Sequence, residues 1–260
     1  MSEDSRIEID KQKEQRNKRG IIVLICLFVG VCLLSLCVCY FSMNLSLLYQ
    51  YSLSNFTDEG KAAKALIEEA ENWEVKFFDN FEEDNQLWWV GTDSSKYGIF
   101  EQTIEDGAYR IDATAKQGFY RRETFDIRPI SDFYLSVEVD KTSGSYNGEY
   151  GVVFRKKAPN FYNFTINDSG TFVVRIMYKG EWDQLMVGNY FPRGGQDKPR
   201  KITVIAKGSD FYFYVDDQFV THVDDDRLRS GFVGVTFGLD YDGEQAVFEF
   251  DNFELRVPGE

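Results

Sequence analysis

The sequence predicts an all-β domain, an antiparallel β-sandwich over residues 75–260, preceded by a transmembrane helix at residues 21–41 and a short stalk helix. Three observations lead to this prediction. The first is an apolar run without any charge. The second is a short stretch rich in Ala, Glu and Lys, and the third is a change to twofold alternation. The chain therefore divides into a cytoplasmic tail (1–20), a membrane span, a juxtamembrane stalk (42–74) and one large domain.

The apolar run reads IIVLICLFVGVCLLSLCVCYF and ends at Phe41. As a helix it is about 30 Å long, enough to cross the hydrocarbon core of a lipid bilayer. A cleaved signal peptide, the alternative, would be shorter and would end in a small-x-small cleavage site. Five Lys or Arg lie between residues 11 and 19, whereas residues 42–57 contain none. The positive-inside rule then predicts a single-pass protein of the cell membrane with a cytoplasmic N-terminus and an extracellular C-terminal domain.

Residues 58–73, DEGKAAKALIEEAENW, are predicted to form the stalk helix, because Ala, Glu and Lys are strong helix formers. Ala63, Leu66, Ile67 and Ala70 recur at helical spacing and leave the charges on the other face. Such a helix either packs on the domain or mediates self-association with a second copy of the chain. A solvated spacer with a weak apolar stripe is the third alternative.

Composition excludes one class of partner and one means of stabilisation. The formal net charge is -14, and nearly all of the acidic excess follows residue 57. Such a surface repels phosphate backbones, so we expect no nucleic-acid partner. All four cysteines lie in the apolar run. The domain that follows therefore carries no disulfide, and burial of its core has to stabilise it.

Seven segments of the domain alternate apolar and polar residues with a period of two and contain no proline, as interior strands require. Turn sequences such as NDSG, KGSD and DYDG separate them. Because no helical pattern intervenes, they predict an antiparallel sandwich of about ten to thirteen strands. The segments are FYLSVEV (133–139), YNFTI (162–166), FVVRIMY (172–178), KITVIA (201–206), FYFYV (211–215), FVGVTFG (232–238) and AVFEFDNFELRV (246–257).

Four longer segments carry a resemblance to a known superfamily. In chain order they read FDNFEEDNQLWWVG, YGVVFRKKAPNFYNFTINDSGTFVVRIMYKGEWDQL, KITVIAKGSDFYFYVDDQFV and SGFVGVTFGLDYDGEQAVFEFDNFEL. Over residues 77–257 the chain resembles the concanavalin A-like lectin/glucanase superfamily, in the branch of laminin-G-like and 3-keto-disaccharide hydrolase-type domains. The resemblance implies a jelly roll of two curved sheets whose first and last strands lie side by side.

Pairing of the terminal strands would bring Asp79 close to Asp251, one from each of two FDNF motifs whose Phe residues are predicted to be core. Carboxylates brought together in this way repel each other unless a cation or backbone donors compensate. Some members of the superfamily bind a structural Ca²⁺ at such places, so the resemblance makes Ca²⁺ the one cofactor to consider. The alternative is that both side chains cap turns.

Binding of a carbohydrate or glycoconjugate is the predicted function, with Trp182, Tyr162, Arg155 and Trp88 as the candidate ligand-binding residues. Aromatic rings offer a flat apolar face to the C–H groups of a sugar. Trp182 follows a hairpin turn in KGEWDQL, where relatives often carry an aromatic residue. Arg155 ends the GVVFR segment and faces either a ligand or a carboxylate such as Glu149. For each aromatic residue the alternative is a purely structural role.

A catalytic role has little support in the sequence. Retaining glucanases of the superfamily use an E-x-D-x-x-E pattern, whose two catalytic carboxyl groups lie about 5–5.5 Å apart. The nearest string is VEVDKTSG, where Glu138 and Asp140 share one strand face but Ser143 replaces the third acid. No catalytic residue is therefore predicted, and the expected protein is a non-catalytic binding module. A structural or adhesive protein-interaction domain and a glycoside hydrolase-like enzyme are the two alternatives.

Overall fold

The computed structural model of the chain describes residues 57–125, 127–190 and 198–259. From Asp58 onward these residues belong to one compact unit. The predicted tail and membrane span lie outside the described residues. Within these three ranges, no helix has both the length and the apolar character needed to cross a membrane.

The described residues form one helix and fifteen strands. Helix α1 spans Asp58–Ala70, and the strands in chain order are β1 (Glu74–Asp79), β2 (Gly91–Ser94), β3 (Gly98–Glu105), β4 (Ala108–Ala115), β5 (Phe119–Thr124), β6 (Phe133–Gly144), β7 (Glu149–Lys157), β8 (Asn160–Ile166), β9 (Thr171–Tyr178), β10 (Glu181–Asn189), β11 (Arg200–Lys207), β12 (Asp210–Val215), β13 (Gln218–Asp224), β14 (Phe232–Leu239) and β15 (Gln245–Val257). All seven strand segments predicted from the sequence fall within these strands.

The strands form two antiparallel sheets that enclose a common core. The nine-stranded sheet has the order β13-β12-β11-β6-β15-β4-β3-β2, with β1 also paired to β15, and the six-stranded sheet has the order β10-β9-β8-β7-β14-β5. The first strand pairs with the last, which places Asp79 opposite Phe253. The predicted antiparallel sandwich and the predicted pairing of its terminal strands are both confirmed.

Aromatic rings fill the core between the sheets. Phe154, Tyr162, Phe211 and Phe213 meet there, with ring centroids between 4.9 and 6.1 Å apart. Burying one such side chain contributes about 1.5–3 kcal/mol, so the rings together provide the stability that a disulfide provides in many small secreted domains.

One core prediction is wrong. Of the four Phe residues in the two FDNF motifs, Phe81, Phe250 and Phe253 are buried, but Phe78 is half exposed. Strand alternation explains the difference, because the neighbouring Asp79 is the residue of this pair that turns inward.

Helix α1 packs on the outer face of the nine-stranded sheet, and the hydroxyl of Tyr214 donates a hydrogen bond to the carbonyl oxygen of Ala63 at 2.7 Å. Of the arrangements that the sequence leaves open, the helix therefore adopts packing on its own domain. The compact unit begins at Asp58 and so includes the helix. The buried cluster between helix and sheet comprises Ala63, Ile67, Ala70, Trp73, Tyr134, Ile205 and Tyr214.

The outer face of the six-stranded sheet is concave. Strands β5 and β10 form its opposite edges, and in a flat sheet they would lie about 24 Å apart. The rings of Tyr120 on β5 and Trp182 on β10 nevertheless approach to 5.9 Å between centroids. Glycines permit the bend, because a Cβ at Gly151 or Gly234 would collide with the backbone of the neighbouring strand. Side chains from both edges therefore meet over this face.

Candidate functional site

A groove of about 720 Å³ opens where the concave face meets its β5 edge. Small-molecule sites in proteins typically measure about 300–1,000 Å³, so the groove is large enough for a short oligosaccharide segment. Both sheets contribute to its walls. The lining residues are Asp93, Ser95, Tyr97, Phe100, Gly118, Phe119, Tyr120, Arg121, Arg122, Glu123, Met177, Trp182 and Asp240.

Trp182 is the predicted ligand-binding residue that the structure places in this groove. It follows the β9–β10 turn and lies opposite Met177 across the strand pair. Its ring meets Phe161 edge-on at 5.3 Å and Tyr120 at 5.9 Å, yet 44% of the residue remains exposed. Tyr97 lines the same groove and is similarly exposed. Ring contacts therefore hold Trp182 in position, and both residues expose aromatic surface on which a ligand could stack.

Arg121 holds two of the groove's carboxylates in place. Its guanidinium forms ion pairs with Asp93 and with Glu123, the latter at 2.6 Å. The side-chain amide of Gln102 also donates to Glu123, at 3.0 Å. These carboxylates are fixed hydrogen-bond acceptors of the kind that orient sugar hydroxyl groups, and Arg121 offsets part of their charge.

Arg175 binds Glu149 on the concave face. The pair is bidentate, with nitrogen–oxygen distances of 2.6 and 2.8 Å, and the hydroxyl of Thr165 donates to the same carboxylate. Burial alone would raise the pKa of Glu149, but the hydrogen bonds and charge of Arg175 outweigh it and lower the pKa. Glu149 therefore pairs with Arg175, and the predicted pair between Glu149 and Arg155 does not form.

Asp240 shows the opposite shift at the groove wall. Burial raises its pKa, and the negative charges of Glu149 and Glu244 raise it further. Neighbouring carboxyl groups whose pKa values are pushed apart are the usual basis of general acid and base roles. Glu149, however, is absent from the groove lining, and both of its oxygens are already engaged.

Arg155 lies inside the sandwich. A positive φ of 48° at a bulge in β7 departs from regular strand geometry. The residue is 1% exposed, and its guanidinium donates to the carbonyl oxygens of Leu228, Ser131 and Gly208 at 2.6–2.8 Å. The structure thus assigns this predicted ligand-binding residue to internal contacts.

Tyr162 is likewise internal. Its ring stacks on Phe154 with centroids 5.2 Å apart, and its hydroxyl donates to Asp225 at 2.6 Å. The same Asp225 forms an ion pair with Arg227. The residue is fully buried, so its ring face is not available to a ligand at the surface.

Trp88 and Asp79 form one buried hydrogen-bonded unit. The indole Nε1 of Trp88 and the amide of Asn85 both donate to Oδ2 of Asp79, at 2.9 and 2.6 Å, and the backbone N–H of Phe81 donates to Oδ1 at 2.9 Å. The ring of Trp88 contacts Phe253 in the core at 5.2 Å. Asp79 therefore caps the turn after β1, and Trp88 is a core residue.

Asp251, the other candidate metal ligand, accepts a hydrogen bond from the backbone N–H of Asn252 at 2.6 Å. Burial raises its pKa, and the charges of Glu138, Glu82 and Asp79 contribute to the rise. In the part of the chain that the structure describes, no three His, Cys, Asp or Glu side chains converge as a metal site would require. Donors from the protein itself thus supply the partners that a Ca²⁺ ion would otherwise supply to Asp79.

Glu138 and Asp140, the nearest match to a glucanase motif, lie on β6 in the nine-stranded sheet. Their side chains alternate with the core residues Val137 and Val139 and so face away from the core. The groove lies at the edge of the other sheet. These two acids are therefore not part of it.

Strand β5 supplies the groove residues that the sequence did not reveal. In its segment FYRRET, Tyr120, Arg122 and Thr124 project to one face of the strand. The alternate residues Phe119, Arg121 and Glu123 project to the other face. Such alternation is a strand signal, and consecutive arginines on an edge strand hint at a polar site. The contact between Tyr120 and Trp182, however, depends on sheet curvature, which the sequence does not specify.

Comparison with known proteins defines the fold but no family. No known protein family and no curated protein sequence matches the chain. Solved structures match over most of the domain. A Bacillus subtilis protein of unknown function with a galectin-like fold aligns at a TM-score of 0.53 and 11% identity, covering 72% of this chain and 98% of its own.

Two further structures align in the same way. The catalytic domain of an endo-1,3-β-glucanase (laminarinase) from Thermotoga petrophila has a TM-score of 0.52 and 10% identity, covering 73% of this chain and 99% of its own. LamAcat from Zobellia galactanivorans has a TM-score of 0.50 and 11% identity, covering 71% and 98% respectively. The fold is therefore the galectin-like, concanavalin A-like sandwich that the sequence resemblance implies.

Proposed function

We propose that this chain is a membrane-anchored carbohydrate-binding module whose sandwich domain binds a glycan outside the cell. The observation that carries the proposal is the groove, where the half-exposed ring of Trp182 lies beside polar groups that are fixed in position. A sugar ring has an apolar C–H face and a polar hydroxyl edge, and this groove offers a partner for each.

The chemistry of the groove matches a sugar better than an apolar ligand. Trp182 and Tyr97 provide stacking surfaces, while Asp93, Glu123 and Asp240 provide hydrogen-bond acceptors. Glu123 and Asp93 are held by Arg121, so little rotamer entropy remains to be lost on binding. One of the structural neighbours is an endo-1,3-β-glucanase. The fold is therefore used by at least one protein that acts on a glycan, and this is the whole of its support for the proposal.

The test compares the full-length chain in detergent micelles with two variants on a glycan array. Trp182→Ala should lose at least about tenfold in affinity, since a central stacking residue contributes roughly 1.4 kcal/mol or more. Tyr146→Ala removes an aromatic residue that is also exposed but does not line the groove, and this variant should bind as the unmodified chain does. Absence of binding to any glycan would contradict the proposal.

The location proposed for the domain needs its own test. Residues 21–41 and the cations before them predict that the domain faces outward. Protease added to intact cells should therefore digest the sandwich domain and spare an epitope tag placed at the N-terminus. Digestion of the tag with the domain left intact would reverse the proposed topology.

Glycan hydrolysis is the second candidate function, favoured by the opposite pKa shifts of Asp240 and Glu149. Under this hypothesis Asp240 would donate a proton to the leaving oxygen, and Glu149 would have to take a proton from the water that attacks the anomeric carbon. To test this, polysaccharides that bind on the glycan array are incubated with the full-length chain, and reducing sugar is measured. If the chain hydrolyses them, reducing sugar is released, and Asp240→Asn should abolish the release. Because Glu149 is enclosed by Arg175 and Thr165, we expect no release.

A further inference from the structure

We propose that the glycan bound in this groove is acidic, and that Arg122 binds its carboxylate, sulfate or phosphate group. The inference rests on the proposed carbohydrate-binding function and adds the chemical class of the ligand. It is drawn from two cations without an ionic partner among the described residues, and from one buried amide without a hydrogen-bond partner there.

Arg122 lines the groove and is partly exposed. Its guanidinium carbon lies 4.5 Å from the centroid of the Phe161 ring. A ring face attracts a cation, but it is no substitute for a carboxylate. Within the described ranges, Arg122 forms no ion pair and donates no side-chain hydrogen bond, and Glu123 acts on it only through its charge. Its donors are therefore free for a ligand.

The neighbouring arginines show how unusual this is for the site. Arg121, one residue earlier, pairs with Asp93 and Glu123. Arg175, on the same face as Arg122, is bidentate with Glu149. Strand alternation turns Arg121 and Arg122 to opposite faces, so the carboxylates that engage Arg121 do not serve Arg122.

Lys156 adds a second cation nearby. Its Nζ donates to the hydroxyl of Thr124 at 3.0 Å, and no described carboxylate forms an ion pair with it. Burial lowers the pKa of Lys156, and the positive charge of Arg122 lowers it further. Two like charges that repel each other are stabilised by an anion placed between or beside them. A guanidinium in particular matches the oxygens of carboxylate, sulfate or phosphate with two parallel hydrogen bonds.

Asn163 supplies an independent observation on the same face. It pairs in register with Arg175 on β9 and Val153 on β7, two residues from Phe161, over which Arg122 lies. The side chain is fully buried, and neither Nδ2 nor Oδ1 has a hydrogen-bond partner among the described residues. Buried amides are nearly always satisfied, so this amide is an unsatisfied polar group beneath the concave face, close to the ring on which Arg122 lies.

The acids of the groove limit where the anion can lie. Glu123 is engaged by Arg121, but Asp240 would repel an anion placed beside it. The charged substituent should therefore bind at the Arg122 end. The net charge of -14 also disfavours densely charged polymers, so the favoured ligand carries isolated acidic groups along a largely uncharged chain.

The experiment uses matched glycan pairs that differ only in charge, such as oligogalacturonides and their methyl esters, sialylated and desialylated glycans, and sulfated and desulfated galactans. Binding of the full-length chain in detergent micelles is measured by biolayer interferometry. We expect at least one acidic member to bind about tenfold tighter than its neutral partner, the effect of one charge-assisted contact.

Three variants locate the effect. Arg122→Gln should lose the acidic preference but still bind the neutral partner, whereas Arg122→Lys should keep part of the preference. Arg229→Gln, whose parent side chain is 83% exposed and lies outside the groove, is the matched control and should keep all of it. Thermal unfolding of each variant establishes that it is folded.

The outcomes separate the two proposals. Equal binding of acidic and neutral partners, or an acidic preference that survives Arg122→Gln, would overturn the inference and leave carbohydrate binding intact. Failure to bind any member of any pair would overturn both.

Discussion

Arg155→Met should destabilise the domain strongly and leave glycan binding unchanged. The guanidinium joins three separate segments to β7, through the carbonyl oxygens of Leu228, Ser131 and Gly208. A hydrogen bond to a charged group contributes about 1.5–3 kcal/mol, and bonds that share one donor group are not additive. Methionine refills much of the volume, so we expect the free energy of unfolding to fall by about 3–5 kcal/mol.

Urea unfolding of the full-length chain in detergent, followed by tryptophan fluorescence, measures this loss, because all four tryptophans lie in the compact unit. For a domain of this size about 2–4 °C is lost per kcal/mol, so the unfolding temperature should fall by about 6–20 °C. Arg229→Met, at an exposed position, should change stability by less than about 0.5 kcal/mol. A loss below 1 kcal/mol, or weaker glycan binding by a variant that remains folded, would refute the internal role of Arg155.

Three further predictions concern stability. Asp79→Ala removes the acceptor of the buried Trp88 indole and should cost about 2–3 kcal/mol in urea unfolding; an unchanged midpoint would contradict the capping role. Because Arg175 lowers the pKa of Glu149 below its ordinary value of 4.5, the pair contributes stability above that pH and loses it as the pH falls through the lowered pKa. Glu149→Gln should therefore flatten the acid limb of stability against pH, and a limb of unchanged slope would argue against it. Ile67→Asp should release helix α1, at a cost of about 2–5 kcal/mol, and make the helix cleavable in limited proteolysis; a helix that stays protected would contradict its packing.

The sandwich itself was predictable because strand alternation is a local signal. Each of the seven predicted segments buries one face against the core, and turn residues interrupt them at short intervals. The stalk helix was predictable for the same reason, since its apolar stripe at Ala63, Ile67 and Ala70 is the face that packs on the sheet. Whether that stripe met its own domain or another chain depended on contacts distant in sequence, and the pattern could not decide it.

The candidate site was only partly predictable, because a core aromatic residue and a ligand-binding aromatic residue look alike in a sequence. Trp182 was identified by its place just after a hairpin turn. In the sequence, Trp88 and Tyr162 looked as good as Trp182 as ligand-binding candidates. In the structure their polar atoms have internal partners, Asp79 and Asp225. For Arg155 the strand period itself was misleading, since the bulge in β7 changes the regular alternation.

Curvature of the six-stranded sheet is the physical origin of both the groove and its unpaired charge. Bending brings β5 to within ring contact of β10, and it places Arg122 on an aromatic ring instead of beside an acid. In a flatter sheet Arg122 would lie in solvent at an edge, where an unpaired arginine costs nothing and indicates nothing. Held against Phe161 and partly desolvated, the same residue loses hydration without gaining a described ionic partner. That unfavourable arrangement is relieved by an anion, which is why the geometry favours an acidic glycan over a neutral one.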